Sequence, residues 1–133
     1  MKFQQLGEES RNIEIELDET QFSPEALVGL DDFSHVEIIF YMHQVQTNRI
    51  VKGARYPRGN TAWPRTGIFA QRARNRPNAL GLTVSRLIKT VNNRLILEGL
   101  DAIDGTPVLD IKPWVVEFGP RGQVSEPDWI AEI

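Results

Sequence analysis

From His35 to His43 the chain alternates, and this run constrains the fold more than any other feature. Val36, Ile38, Phe40 and Met42 form one wholly apolar face, while His35, Glu37, Ile39, Tyr41 and His43 form a mixed one. A period of two defines a β-strand with its back in a core and its front toward a polar site. Ile13, Ile15 and Leu17 alternate in the same way with Asn12, Glu14, Glu16 and Asp18. Segments 82–88 and 94–97 flank Asn92-Asn93, a pair that tolerates positive φ and so predicts a hairpin. Thr106 to Ile111 reads as a further strand after the Asp104-Gly105 turn, and Gly67-Ile68-Phe69-Ala70 as a short apolar one. Ser23-Pro24-Glu25 has the form of a helix start, ended after about two turns by Gly29 or by Asp31-Asp32. Residues 48–66 read as a loop, and the tail from Gly119 to Ile133 as loop plus a docking segment around Trp129. The expected fold is mainly β: a small antiparallel barrel with one or two short helices. No strand–helix alternation supports a doubly wound sheet.

The 133 residues predict a single domain, with no separate C-terminal domain. Net charge is −3, but the charge is segregated. Residues 1–48 hold ten acids and two bases, residues 49–94 eleven bases and no acid, and residues 95–133 eight acids and two bases. A basic stretch of this length is a functional hint that the average hides. The absence of cysteine excludes disulfides, thiolate metal ligands and a thiol nucleophile. Met1-Lys2-Phe3-Gln4-Gln5 does not open a signal peptide, and the longest apolar run, 36–42, contains Glu37 and is too short to span a bilayer. The expected location is cytoplasmic, with no membrane partner.

His35 and His43 share a strand face but stand about 26 Å apart at strand rise, so they cannot hold one ion, and no metal is expected. The chain has no G-x-S-x-G elbow, no Gly-rich dinucleotide fingerprint and no P-loop. Two other constellations carry more. Arg72, Arg74 and Arg76 would share one face of an extended backbone, near Tyr56, Trp63 and Phe69, which can stack bases. The same arginines also read as a solvated face that pairs with the acidic ends of the chain. Asp110 and Lys112 share a strand face after a turn-rich segment. They read either as a surface ion pair or as an acceptor and a cation lining a pocket.

The stretch Gly67-Ile68-Phe69-Ala70-Gln71-Arg72 through Arg76-Pro77-Asn78-Ala79-Leu80-Gly81-Leu82-Thr83-Val84 resembles the TsaA/YaeB-like family of TrmO-type tRNA methyltransferases. So does Leu100-Asp101 with Asp104-Gly105-Thr106-Pro107-Val108-Leu109-Asp110-Ile111-Lys112-Pro113. Leu27-Val28-Gly29-Leu30-Asp31-Asp32-Phe33-Ser34-His35-Val36 is similar to an earlier motif of that family. The resemblance implies a small β-barrel that binds S-adenosyl-L-methionine without a Rossmann fold, as a homodimer. It also implies methyl transfer to the exocyclic amine of threonylcarbamoyladenosine beside the tRNA anticodon.

Carried onto matching positions, the resemblance implies a cofactor set of Phe33, Phe69, Arg72, Arg76, Asn78, Leu80, Asp101, Asp104, Thr106 and Lys112. Asp110 is the preferred proton acceptor, with His35 second. Arg58, Arg65, Arg74, Tyr41 and His43 are the RNA-contact candidates. Gln71-Arg72-Ala73-Arg74 stands where the family usually has Thr-Arg-Ser-Pro, and Ala79 where it has Pro. Two other functions stay open: a methyltransferase of the same fold acting on a small molecule or protein, and a non-catalytic cofactor- or RNA-binding module.

Overall fold

The computed structural model describes residues 2–5, 12–99 and 104–133. They form two compact units, Met1–Gln44 with Ala79–Trp114, and Val45–Asn78 with Val115–Ile133.

The first unit is a six-stranded antiparallel sheet. In chain order its strands are β1 (Lys2–Gln5), β2 (Asn12–Glu16), β3 (His35–Tyr41), β6 (Leu80–Val91), β7 (Arg94–Glu98) and β8 (Val108–Pro113). In space they run β1-β2-β7-β6-β3-β8. The mainly antiparallel β architecture is as the alternation predicts. The order is linear, however, and no pairing that would close it into a barrel is present among the described residues.

The alternation places the core. Ile13 and Ile15 of β2, Val36 and Ile38 of β3, Leu87 of β6, Leu95 and Leu97 of β7 and Val108 of β8 are buried together, capped by Leu17 and Leu27. Each such side chain contributes about 1.5–3 kcal/mol by leaving water. Phe40 packs against this cluster and lies over Gly81, where an added Cβ would sit 2.3 Å from the ring. Glu14 falls on the opposite face and is nevertheless buried, and its carboxylate meets Arg94 Nε at 3.2 Å.

The Asn92-Asn93 hairpin is as predicted, with Asn92 at φ 54 between β6 and β7. The helix expected from Ser23 is not. Pro24–Leu27 is a four-residue 3-10 turn in which the Val28 N–H returns only to Glu25 O. Gly29 at φ 88 then breaks the path before a second 3-10 turn, Leu30–Asp32. A left-handed residue interrupts the hydrogen-bond ladder, so no α-helix propagates. Among the described residues there is none.

In the second unit β4 (Ala54–Arg55) pairs with β5 (Thr66–Gly67) inside the segment read as loop. The strand expected over 67–70 is a 3-10 turn at Ile68–Ala70, because the Gln71 N–H returns to Ile68 O. Ile68 is buried there and Phe69 is turned outward, 79% exposed. The predicted docking segment forms at Asp128–Glu132. Trp129 lies 6.0 Å from Trp63, ring to ring, and the Trp63 indole donates to Glu132 Oε2 at 2.6 Å.

Candidate functional site

Within the first unit, the mixed face of β3 and its neighbour β8 bring several predicted residues together. Asp110 stands opposite Ile39 and Lys112 opposite Glu37. Lys112 Nζ reaches Asp110 Oδ2 at 2.9 Å, and Asp110 Oδ1 accepts the Ile111 N–H at 2.8 Å. The hydrogen bond from Lys112 is the main cause that holds the Asp110 carboxyl below its ordinary range, and burial opposes it. The same bond raises Lys112 above its usual value, with the charge of Asp110 and then of Glu37 adding to it.

The surface-pair reading holds, and of the pocket reading only the Asp110 half does, because Lys112 does not line the cavity. It is a half-exposed ion pair, and Asp110 also lines a cavity of about 270 Å³. Leu17, Phe22, Ala26, Leu27, Leu30, Leu109, Ile111 and Pro113 complete the lining, so Asp110 is its one charged residue, while the Asp110 carboxylate pairs with Lys112 on the other face of β8 from Ile111. Such a lining suits a flat or cationic organic ligand. β8 supplies the floor because it is the edge of the sheet, and the broken turns of 24–32 supply the opposite wall.

The other predicted residues of this unit are spread more widely. His35 sits four residues along β3 from Ile39, about 13 Å from Asp110's position at strand rise, so the two proton-acceptor candidates do not converge. Its Nδ1 meets Ser34 Oγ at 2.7 Å. Phe33 is exposed just before β3. Tyr41 and Leu80 face each other across β3 and β6 and are half-exposed, and His43 is exposed beyond them. Thr106 is buried, and Asp104 is exposed beside Gly105 in the turn before β8. Asp101 lies outside the described residues. Among the described residues no group of acids and histidines could hold a metal ion.

The second unit holds the remaining candidates. Phe69, Arg72, Arg74 and Asn78 are exposed, as are Arg58 and Arg65. The 72–76 run is not extended. The Arg76 N–H donates to Arg74 O at 2.8 Å, and this tight turn takes Arg76 off the common face. Arg76 Nη1 instead donates to Ile68 O at 3.2 Å and to Gln71 O. At least one arm of this guanidinium therefore holds the Phe69 turn. Gln71, which sequence reasoning noted only as a departure, is buried and does similar work. Its Nε2 donates to Thr66 O at 2.7 Å and to Arg55 O at 3.2 Å, locking β4 to β5. A glutamine in a polar run carries no local signal for such a role.

Charge sorts by unit. The second unit has nine bases and four acids, net +5, and the first has six bases and fourteen acids, net −8. Arg86–Glu98, Arg94–Glu14 and Lys112–Asp110 are ion pairs of the first unit. Arg58, Arg65 and Arg74 have no ion-pair partner among the described residues.

An antiparallel sheet without a dinucleotide fingerprint, an apolar cavity beside Asp110 and a basic second unit together describe a non-Rossmann β-sheet protein. Residues 3–119 match the family model described as the tRNA-methyltransferase O N-terminal domain. The chain belongs to this TrmO family. It is 43% identical over 102 residues to the human tRNA (adenine(37)-N6)-methyltransferase, covering 77% of this chain and 23% of that one. It is 39% identical over 111 residues to the enzyme of the same name from Escherichia coli, covering 80% and 46%. A Pyrococcus abyssi protein named for S-adenosyl-L-methionine binding is 36% identical over 100 residues, covering 75% and 52%. A crystal structure of TrmO from P. aeruginosa superposes with a TM-score of 0.68 at 35% identity, covering 88% of this chain and 47% of that one. The chain thus spans about a quarter of the human relative and about half of the bacterial ones.

Proposed function

We propose that the chain is the S-adenosyl-L-methionine-dependent methyltransferase module of a tRNA-modifying enzyme. The acceptor is the exocyclic amine of a modified adenosine, threonylcarbamoyladenosine. The observation that carries this reading is the Asp110–Lys112 pair on edge strand β8, beside an apolar cavity and inside the family-matched segment. The names of the relatives support the adenine amine of a tRNA as acceptor.

The donor set fits the cofactor's chemistry. Its amino acid end needs a cation and an acceptor, its sulfonium needs a nearby anion, and its adenine needs apolar walls. The cofactor supplies a methyl group made electrophilic by the positive sulfur. In the first unit, Leu109 and Ile111 provide wall, Asp110 provides the anion, and Leu80, Thr106, Asp104 and Lys112 stay in the proposed set with Phe33. Phe69, Arg72 and Asn78 belong to the second unit and stay candidates from the family resemblance alone. Arg76 contributes chiefly by fixing the Phe69 turn.

Asp110 also holds the acceptor amine. An adenine amine is a weak nucleophile because its lone pair is delocalised into the ring. A carboxylate that accepts its single N–H hydrogen orients it and takes that proton late, as the methyl is transferred and the nitrogen becomes strongly acidic. A weakly basic carboxylate is enough for that step, and the depressed Asp110 stays ionised throughout the neutral range.

The enzyme acts as a homodimer in the cytoplasm, without a metal. Support for the dimer is a stripe of half-exposed apolar side chains on the outer face of β6, Leu80, Leu82 and Val84, beside Tyr41 of β3. A monomer rarely leaves such a contiguous stripe in water. Among the described residues no helix is long and apolar enough to cross a membrane.

Calorimetry with S-adenosyl-L-methionine and mass spectrometry of tRNA nucleosides test the reading together. Binding heat and a one-methyl mass gain on threonylcarbamoyladenosine, using tRNA from a deletion strain, are expected. Heat without the mass gain would instead favour a small-molecule or protein methyltransferase.

A further inference from the structure

Residues 120–133 lie beyond the family-matched segment, which ends at 119, yet they are not loose. Trp129 packs on Trp63 at 6.0 Å, and Glu132 accepts the Trp63 indole hydrogen at 2.6 Å, across 69 residues of sequence. Trp63 belongs to the loop that joins β4 to β5, so the tail clasps that loop within the second unit.

The clasped loop is pinned from inside as well. The Gly59 N–H donates to Tyr56 O, the Asn60 N–H to Pro57 O and the Trp63 N–H to Asn60 O, at 2.9–3.2 Å. Asn60 Oδ1 accepts from Ala62 N at 2.9 Å. Pro57 is buried beneath. On this frame Arg58 is held at φ 53, a left-handed conformation that an arginine adopts at a cost of about 1 kcal/mol. Glycine or asparagine would adopt it at lower cost, so the fold tolerates strain here to keep a side chain. That side chain is exposed and has no partner among the described residues, and Arg65 is in the same state. Tyr56, 40% exposed, adds an aromatic face.

We infer that loop 56–65, clasped by Trp129 and Glu132, is an RNA-contacting arm. Arg58 and Arg65 take backbone phosphates, and Tyr56 stacks on an unpaired base. Guanidinium forks suit phosphate, and an aromatic ring suits any exposed base. Trp129 and Glu132 are positioning residues: they hold the arm in place in advance, so less ordering entropy is lost when RNA binds. The inference rests on the tRNA reading above and adds the residues that would meet the polyanion.

Binding of a fluorescently labelled anticodon stem-loop RNA, measured by anisotropy across a salt series, tests it. Arg58→Gly is the cleanest variant, because glycine accepts the left-handed backbone and only the guanidinium is lost. Arg58→Gly and Arg65→Ala should each weaken binding by about 5–10-fold and reduce the log–log salt slope by about one. Trp129→Ala should raise the KM for tRNA while leaving kcat and the KM for S-adenosyl-L-methionine unchanged, and Trp129→Phe should restore most of the loss. Glu132→Gln, which keeps an acceptor for the indole, should behave like wild type. If both arginine variants bind with wild-type affinity and slope, or if wild type binds no RNA at all, the arm is overturned. RNA binding that depends on the arginines, without methyl transfer to tRNA, would instead sink the methyltransferase reading and leave the arm standing.

Discussion

Asp110 is the residue on which the proposed chemistry turns, and its partner sets its behaviour. The bond from Lys112 lowers the Asp110 titration, so the carboxylate form is favoured by folding. That small contribution is complete above the ordinary aspartate value of about 3.9 and is lost as pH falls through the lower folded value. Lys112 runs the other way: its titration is raised, so its contribution is lost only as pH climbs past that raised value. The pair thus stays intact across the neutral range, and the pH–rate profile should carry no limb from Asp110 between about pH 5 and 9. Lys112→Ala should move the Asp110 titration up toward its ordinary value, which carboxyl-detected NMR would follow. Asp110→Asn should lower kcat by at least about tenfold with the protein still folded. Full turnover in that variant would remove Asp110 from the mechanism.

Residue-scale packing is equally specific at Gly81. An added Cβ would stand 2.3 Å from the Phe40 ring, and Phe40 is backed by the core. Gly81→Ala should cost about 1–3 kcal/mol in urea unfolding, and adding Phe40→Leu should recover part of it. Sequence reading placed Phe40 on the apolar face. It gave no reason for Gly81, because the clash lies across the strand pair and not along the chain.

At the scale of elements, the hairpin shows how one dipeptide divides its roles. Asn92 takes the left-handed turn at φ 54, while Asn93 is buried and turned inward. Asn93 Nδ2 donates to Leu17 O and to Glu19 Oε1, each at 3.2 Å, and Asn93 O accepts the Leu17 N–H at 2.8 Å. The turn therefore also fastens the exit of β2. Asn93→Ala should destabilise by about 1–2 kcal/mol, measured by chemical denaturation, and Asn92→Gly should be close to neutral. The strands themselves were legible because a period of two needs no partner to be recognised. The turns at Pro24–Leu27 and Ile68–Ala70 were not, because short apolar runs suit helix, strand or 3-10 turn alike. Gly29 and the return of the Gln71 N–H decided them.

For the whole molecule, the outer β6 stripe and the division of charge carry the predictions. Val84→Asp would set an acid opposite Glu37 at one end of the stripe, and light scattering should then report a monomer in place of the proposed dimer. A wild-type monomer at micromolar concentration would end the dimer proposal. RNA affinity should fall steeply with salt, since nine of the fifteen basic residues lie in the second unit.

The antiparallel strands, the core face, the acid-free basic stretch and the family motifs are all legible along the chain, because each is periodic or local. Alternation likewise places Asp110 and Lys112 on one face, because residues two apart in a strand share a side. What surrounds them came from folding in three dimensions: the linear sheet that makes β8 an edge, the cavity against 22–30, and the use of Arg76 and Gln71 as braces. The fold also leaves Arg58 and Arg65 with no acidic partner among the described residues. Composition counts charges, but pairing them depends on distances across the fold, which no single stretch of chain contains.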